Sequence, residues 1–590
     1  MSKLGRQTYL EKVYACWLGK NIGGTLGGPH EGKPGPLELT FYDPVPTEPA
    51  PNDDLDLQLI WLHALETHGL RLTPAQLSQE WLEHNAYPWC EYGFSQLNAR
   101  RGLVPPVTGS YDNWFGDCMG APIRSEIWAC IAPGTPHLAC EYAWRDAIRD
   151  HWGEGVWGEL FLVAVESAAF VVADRDALLD IGLAAIPPWS ATARAIEVVR
   201  DSHARNLDWM EARERVLAGF GHQHPTHAPM NIAFIVLGWL YGQDFGDALL
   251  KAVNCGQDTD CTGARLGAIL GILGGPSAIP RAWREPVGEA IKPGWGLVNL
   301  EVPANLGELT SRVCAIGEEL ARHFADAPRV VDEEGASADP REVYRLAAQA
   351  IHLWSRRPDE VWLTDDASVR FRYLGPPVAT PGRPKRALVI GAAGVGVKQP
   401  PGWTVDVRQV DGIYEVTVIP GEAMGAHAAI EITVGGRARP IAFVRRPRWE
   451  AARLTPEQFD QNPPWLAQWL AWEPAGHEMD LTSLLRGREG TAALRTFVVS
   501  PSRTDAVLHL VTPHKARAWL NGQIVLAKDS TQANDRPPYL ESEDGSGEVT
   551  LEPGRNELCA AVHSCGGPCL ARVYFTDRSG HGLPEVYYDT

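Results

Sequence analysis

The sequence predicts a multidomain protein with an all-α N-terminal domain followed by two β-sandwich domains. Three observations carry that reading. The chain has 590 residues, more than one hydrophobic core ordinarily serves. Apolar residues recur at helical spacing from residue 8 to about 325. After about residue 360 the pattern changes to strict alternation, the mark of strands with one buried face.

The helical signal runs through Leu10–Leu18, Leu57–Leu65, Val156–Val172, Ile196–Val199 and Ile232–Leu240. Thr73-Pro74 and Thr135-Pro136 each supply a capping hydroxyl followed by proline at the first helical position. From Asp260 to Gly275, Gly263, Gly267 and Gly271 fall at steps of four, flanked by Ala264 and Ala268. Such a stripe predicts a central helix that another backbone approaches closely, and Arg265 sets it apart from a membrane dimer. Asn305–Phe324 reads as the last helix of a domain spanning residues 1–326. Residues 327–360 read as a linker and connecting helix: Asp326–Pro340 is acidic and turn-rich, and Arg341–Trp354 is helical.

Strands follow at Ser368–Tyr373, Ala387–Ile390, Trp403–Arg408, Tyr414–Ile419 and Ala429–Val434, predicting a small sandwich over residues 361–445. Leu494–Val499, Ala506–Val511, Ala516–Gly522, Gly547–Leu551, Asn556–Val562 and Leu570–Phe575 predict a second, jelly-roll-like sandwich over residues 446–590. Asn521-Gly522 is a two-residue hairpin turn by composition.

Composition narrows the class. Fifty-three basic against 73 acidic residues leave a net charge of −20, which disfavours a nucleic-acid backbone as partner. No apolar stretch reaches membrane-spanning length, the longest candidate being Ile232–Tyr241, and the N-terminus leads straight into an amphipathic segment without a signal-peptide core. The 11 cysteines are scattered and form no metal or disulfide pattern. The expectation is a reduced cytoplasmic protein without membrane or nucleic-acid partners. Twenty-two tryptophans suit sugar binding as well as a core.

The chemistry is concentrated in two acidic clusters about two hundred residues apart. Asn52-Asp53-Asp54-Leu55-Asp56 opens one helix, and Asp258-Thr259-Asp260-Cys261-Thr262 opens the glycine-striped one. One helix cap needs one side chain, yet each cluster offers an excess, and adjacent carboxylates repel unless a cation or a proton relieves them. Joined, the two clusters supply the oxygen-rich set that Mg²⁺, Mn²⁺ or Ca²⁺ requires. His222, His224 and His227 share a proline-containing loop without the spacing of a zinc site.

These residues resemble the ADP-ribosylglycohydrolases, over about residues 10–325. The resemblance implies an all-α enzyme whose Mg²⁺ site is built from an early Thr-Asp-Asp and a late Asp-x-Asp-Thr/Ser. Asn52-Asp53-Asp54 matches the first motif with asparagine for threonine. Asp258-Thr259-Asp260 matches the second, with Cys261 in the last oxygen position and Thr262 one step on. Asn52, Asp53, Asp54, Asp258, Asp260 and Thr262 are thereby the implied ligands of one or two divalent ions, Mg²⁺ first, Ca²⁺ or Mn²⁺ as alternatives. The opening helix and glycine-rich loop match as well, Gly24 replacing the family's aspartate and Glu31 retained. Gly116–Arg124 resembles the substrate loop, and Asp146–His151 a further family stretch with Asp150 for threonine.

The resemblance therefore implies a metal-dependent hydrolase of a glycosidic or N-glycosidic bond in a ribose-like substrate: ADP-ribosyl, nucleoside or furanoside. Glu31, Asp53, Asp54 and Asp56 are the expected catalytic carboxylates, and Arg124, Glu126 and His151 the expected substrate-binding groups. The alternative is a non-catalytic carbohydrate- or ADP-ribose-binding protein with a degenerate metal site. The β domains offer surface for a homodimer.

Overall fold

The computed structural model describes residues 3–325, 327–332, 335–531 and 545–590. The chain divides into two compact units, residues 1–87 with 115–356 and residues 88–114 with 357–590.

The first unit is helical. Its longer helices are Arg6–Gly27, Asp53–His68, Pro74–His84, Pro136–Ala147, Glu154–Ala169, Arg175–Ala184, Ala191–Ala204, Trp209–Phe220, Ala228–Tyr241, Phe245–Asn254, Thr259–Gly274 and Leu306–His323. Thr73 caps as its sequence foretells: its hydroxyl accepts from the Gln76 amide while the Gln76 side chain accepts from Thr73 N–H. Thr135 does not. Its hydroxyl donates back to the Ala132 carbonyl at 3.1 Å, so the Pro136–Ala147 helix starts without a side-chain cap. Part of the acidic segment before Pro340 also departs from plain linker: Arg329–Val331 pairs in parallel with Lys3–Gly5, and Ala336–Ser337 pairs with it antiparallel.

Two glycine stripes build the centre of this unit. Gly19, Gly23 and Gly27 on the first helix face Gly267, Gly263 and Thr259 on the Thr259–Gly274 helix, which runs antiparallel to it. A methyl group at Gly19 would come 2.0 Å from the Gly267 carbonyl oxygen, and one at Gly23 1.9 Å from that of Gly263. The backbones themselves are in contact, which only glycine permits. This pairing places the C-terminus of the first helix beside the N-terminus of the second, and Thr259 fastens it by donating its hydroxyl to Gly27 O at 2.8 Å.

The second unit is β-rich. A five-stranded antiparallel sheet runs in the order Glu360–Trp362, Arg370–Tyr373, Lys385–Ile390, Ile413–Ile419, Thr404–Val410. A four-stranded sheet is built around the His427–Val434 and Arg437–Arg445 hairpin, and side chains of both sheets share one core with Phe371, Val389, Val416 and Phe443. Residues 88–114, which the sequence reading leaves in the helical domain, group here because Leu103, Val107 and Tyr111 belong to that same core. A second pair of sheets follows, one around Gly490–Ser500 and Gly554–Ser564, the other around Thr504–Val511 and Leu570–Thr576. Asn521 and Gly522 take φ of 50° and 78°, the left-handed pair that a tight hairpin demands.

Candidate metal centre

Each acidic cluster lies at a helix start, and in neither is capping what the aspartates do. In the first, Asn52 alone caps: its Oδ1 accepts from the Asp54 amide at 2.7 Å. Asp53, Asp54 and Asp56 are left over. In the second, Asp258 stands at the cap position but its side chain makes no capping hydrogen bond. Gly24 explains how Asn52 fits, since a methyl group there would lie 2.6 Å from Asn52 Nδ2. The loop that carries Glu31 is pinned to the turn before Asp258, with Gly32 N–H donating to Gln257 O at 2.8 Å and Gln257 N–H to Lys33 O at 2.6 Å.

The clusters converge. Donor atoms of Glu31, Asp258 and Asp260 lie within 4.8 Å of one another, as do those of Asp54, Asp260 and Cys261. Asp258 is wholly buried and Asp54 and Asp260 nearly so, whereas Glu31 is exposed. Asp54 Oδ2, Asp56 Oδ1, both oxygens of Asp258 and Asp260 Oδ1 meet no hydrogen-bond donor among the described residues. Burial of uncompensated carboxylates is costly, and the groups respond by holding protons. Burial, then Asp54 and Asp260, raise Asp53 well above the ordinary carboxylate range. Burial, then Asp260 and Glu31, do the same to Asp258. The charge of Asp260 leads in pushing Glu31 up to about 8. Hard oxygens, buried, crowded and short of donors, fit a divalent cation. The residues that would hold it are Asp54, Asp258 and Asp260 with Glu31, while the Cys261 thiol is a soft donor in that company. Thr262 is buried and donates its hydroxyl to Thr259 O at 3.1 Å, leaving its oxygen lone pairs.

Beneath the cluster runs a buried charge network that spacing in the sequence did not reveal. Lys20 Nζ reaches Asp54 Oδ1 at 3.4 Å, Glu126 Oε1 at 3.3 Å and Ile123 O at 3.0 Å. Arg265 donates to Asp54 Oδ1 at 3.3 Å and pairs with Glu126, which also accepts from Gln58. Burial would drive the Lys20 ammonium down, but Glu126 and Asp54 hold it up. These cations anchor Asp54 by Oδ1 and leave its Oδ2 for the cluster. Asp56 is steered similarly: Oδ2 accepts from Tyr87 O–H at 2.7 Å and from Gly294 N–H at 2.8 Å. Asn231 ties Asp258 to the histidine loop, accepting from Asp258 N–H at 3.3 Å and donating to Pro225 O and His227 O.

Arg124, Glu126 and His151, expected to face substrate, are all wholly buried. Arg124 is spent on Asp146, Asp150 and Gly120 O, beneath the Trp61 and Trp81 rings. His151 Nδ1 meets Asp150 at 2.6 Å, and its Nε2 accepts from Ala121 N–H at 3.1 Å. These atoms brace residues 116–124 from inside the fold. The exposed side chain nearest Asp56 along this chain of contacts is Trp295, 66% exposed, whose ring stands edge-on to Tyr87 at 5.1 Å. Nothing in the sequence around Trp295 singles it out, because its link to Asp56 passes through Tyr87 some two hundred residues away.

A helical unit with a buried carboxylate centre at two facing helix ends defines the class. Residues 5–325 match the family model described as ADP-ribosylglycohydrolase, and the chain belongs to that family. Membership supports a glycohydrolase-type function. A protein of Archaeoglobus fulgidus that carries the name uncharacterized is 27% identical over 290 residues, covering 47% of this chain and 91% of the relative. Among solved structures, an ADP-ribosylglycohydrolase-related protein complex aligns at 21% identity and a TM-score of 0.36, over 54% of this chain and 99% of that one. Among the described residues no helix is long and apolar enough to cross a membrane.

Proposed function

We propose that the helical unit is a divalent-cation-dependent glycohydrolase that cleaves the bond at the anomeric carbon of a ribose-like unit. The observation that carries the reading is the set of buried, donor-starved oxygens on Asp54, Asp258 and Asp260, drawn together with Glu31. A cation bound there supplies positive charge for sugar hydroxyls and an activated water. Asp54 and Asp260 hold that charge in place, with Lys20 and Arg265 orienting Asp54 from behind. Asp53, half-buried at the helix start, is the carboxylate assigned to take the proton of the attacking water. Glu31, exposed on a loop pinned to the cluster, is assigned to the leaving-group side, where it can reach an incoming substrate. Asp56, fixed by Tyr87 and Gly294, shapes the sugar pocket, and the Trp295 face suits an apolar sugar or base surface.

The presence of the Cys261 thiol among the donors favours one rival: a protein that binds ADP-ribose or a carbohydrate without turning it over. Calorimetric titration of Mg²⁺, Mn²⁺ and Ca²⁺ into the full chain, beside Asp260→Asn, tests the cation. A panel of ADP-ribosyl, nucleoside and aryl-furanoside substrates tests turnover. Cation binding with hydrolysis of one class supports the enzyme; binding without any turnover supports the rival. No cation-dependent heat in the native chain would sink the enzyme and leave the rival, which fails in turn if neither ADP-ribose nor a sugar binds.

A further inference from the structure

A second constellation lies about 15 Å along the Asp53–His68 helix from the acidic cluster. It is centred on Glu80, whose side chain is 5% exposed. His68 Nε2 meets Glu80 Oε1 at 2.8 Å, His63 Nδ1 meets Oε2 at 2.7 Å, and His84 Nε2 stands 3.5 Å from Oε2. Donor atoms of His63, Glu80 and His84 all lie within 4.8 Å of one another.

His84 carries the argument. Its Nδ1 lies 3.1 Å from the Val298 carbonyl oxygen, a group that can only accept. The ring proton therefore belongs on Nδ1, and the neutral ring aims the Nε2 lone pair at the Glu80 carboxylate. Two acceptors that face each other repel, unless the ring takes a second proton or a cation stands between them. The spacing suits a cation, because two ligands of a tetrahedral zinc at about 2.0–2.2 Å stand roughly 3.4 Å apart. An outer carbonyl that holds the second ring nitrogen is also the usual support of a metal-bound imidazole. The His63 side chain is 37% exposed and has room to open from 2.7 Å to the roughly 3.4 Å from Glu80 Oε2 that ligation requires, with the Thr67 hydroxyl 3.5 Å from its Nε2.

The geometry points to a transition-metal site, separate from the acidic centre, in which His63, Glu80 and His84 bind Zn²⁺ and water completes the coordination. Imidazole nitrogen with a single carboxylate selects zinc-class ions over Mg²⁺ or Ca²⁺. Such an ion would clamp the C-terminal half of the Asp53–His68 helix to the Pro74–His84 helix, holding the helix whose other end carries Asp53 and Asp54.

The test uses the full chain, stripped by chelator and titrated with Zn²⁺ in buffer saturated with Mg²⁺. One equivalent of Zn²⁺ is expected, with imidazole scattering in the zinc X-ray absorption spectrum, which the histidine-free acidic centre cannot supply. His63→Ala and His84→Gln should each weaken Zn²⁺ binding about a hundredfold or more, while Asp258→Asn and His227→Ala leave it unchanged. His63 is exposed enough that its variant should fold if His84→Gln does not, and the absorption spectrum needs no variant. Absence of the Zn²⁺ equivalent, a spectrum without imidazole, or affinity unmoved by both variants overturns the site and leaves a hydrogen-bonded histidine–carboxylate group.

Discussion

At the scale of single residues, the decisive comparison is between a carboxylate and its neutral shape-mimic. Asp258 is buried without a donor and holds its proton at a cost, so Asp258→Asn removes that cost while keeping the volume. Without added cation the variant should melt at or above the native temperature. With Mg²⁺ at about a hundred times its Kd, the native chain should gain about 2.7 kcal/mol and the variant almost nothing; calorimetry in both conditions checks this. Glu159 tests burial away from the cluster. It is wholly buried beside Asp146, and burial, then the Asp146 charge, raises its carboxyl well above the ordinary range. In the unfolded chain it ionises near roughly 4.3, while the folded chain still holds the proton. Its contribution is therefore intact below about pH 4 and is lost progressively as the pH rises toward the folded value. Glu159→Gln should flatten that slope, raising the melting temperature more at about pH 8 than at about pH 5; equal shifts at both would contradict the argument. Trp295→Ala, at a face exposed to solvent, should raise KM about tenfold, ~1.4 kcal/mol, with kcat little changed in steady-state assays.

At the scale of elements, the two glycine stripes decide whether the centre assembles at all. Gly23→Ala and Gly267→Ala would each drive a methyl group to within 2.2 Å of a facing backbone oxygen, and no rotamer relieves a clash with main chain. Each should cost about 3 kcal/mol or more and weaken cation binding by parting Asp260 from Asp54. Gly219→Ala is the matched control. That helical position faces open space, and the gain in helix propensity is up to about 1 kcal/mol. Thermal melts of the three variants read both signs. The stripe at Gly263, Gly267 and Gly271 was legible in the sequence because spacing of four is a local pattern. Its partner stripe at Gly19, Gly23 and Gly27 was equally local, but nothing within either segment says that they pair. The same limit explains the rest of the site. The excess of aspartates pointed to a candidate site, whereas Lys20 and Arg265, which hold Asp54, and Gln58, which holds Glu126, are joined to it only by the fold. Arg124 and His151 looked available because, apart from the neighbouring Asp150–His151 pair, the contacts with Asp146, Asp150 and the Ala121 amide that occupy them join residues more than twenty positions apart.

At the scale of the whole molecule, the two-unit division makes a prediction that the order of segments along the chain conceals. The helical unit is interrupted by residues 88–114, whose Leu103, Val107 and Tyr111 are buried among strands of the second unit. Cutting the chain after residue 325 would remove those strands while leaving the segment that they cover. Within that segment Asn98 also donates to the carbonyls of Thr108 and Tyr111, so its helix and turn would keep some local order while exposing an apolar face. Exposing three large apolar side chains forfeits about 1.5–3 kcal/mol each, a large part of the 5–15 kcal/mol that holds an ordinary domain folded. The truncated chain should therefore melt well below the full one, bind a hydrophobic dye and tend to aggregate. Changing Leu103, Val107 and Tyr111 to serine in that truncated chain should reduce dye binding and aggregation without abolishing them, because Phe94, which meets Tyr574 at 5.4 Å in the full chain, still lacks its partner. The same three changes in the full chain should destabilise the second unit by opening cavities in its core. A truncated chain that melts like the full protein, with no dye binding, would mean that residues 88–114 find their core within the helical unit.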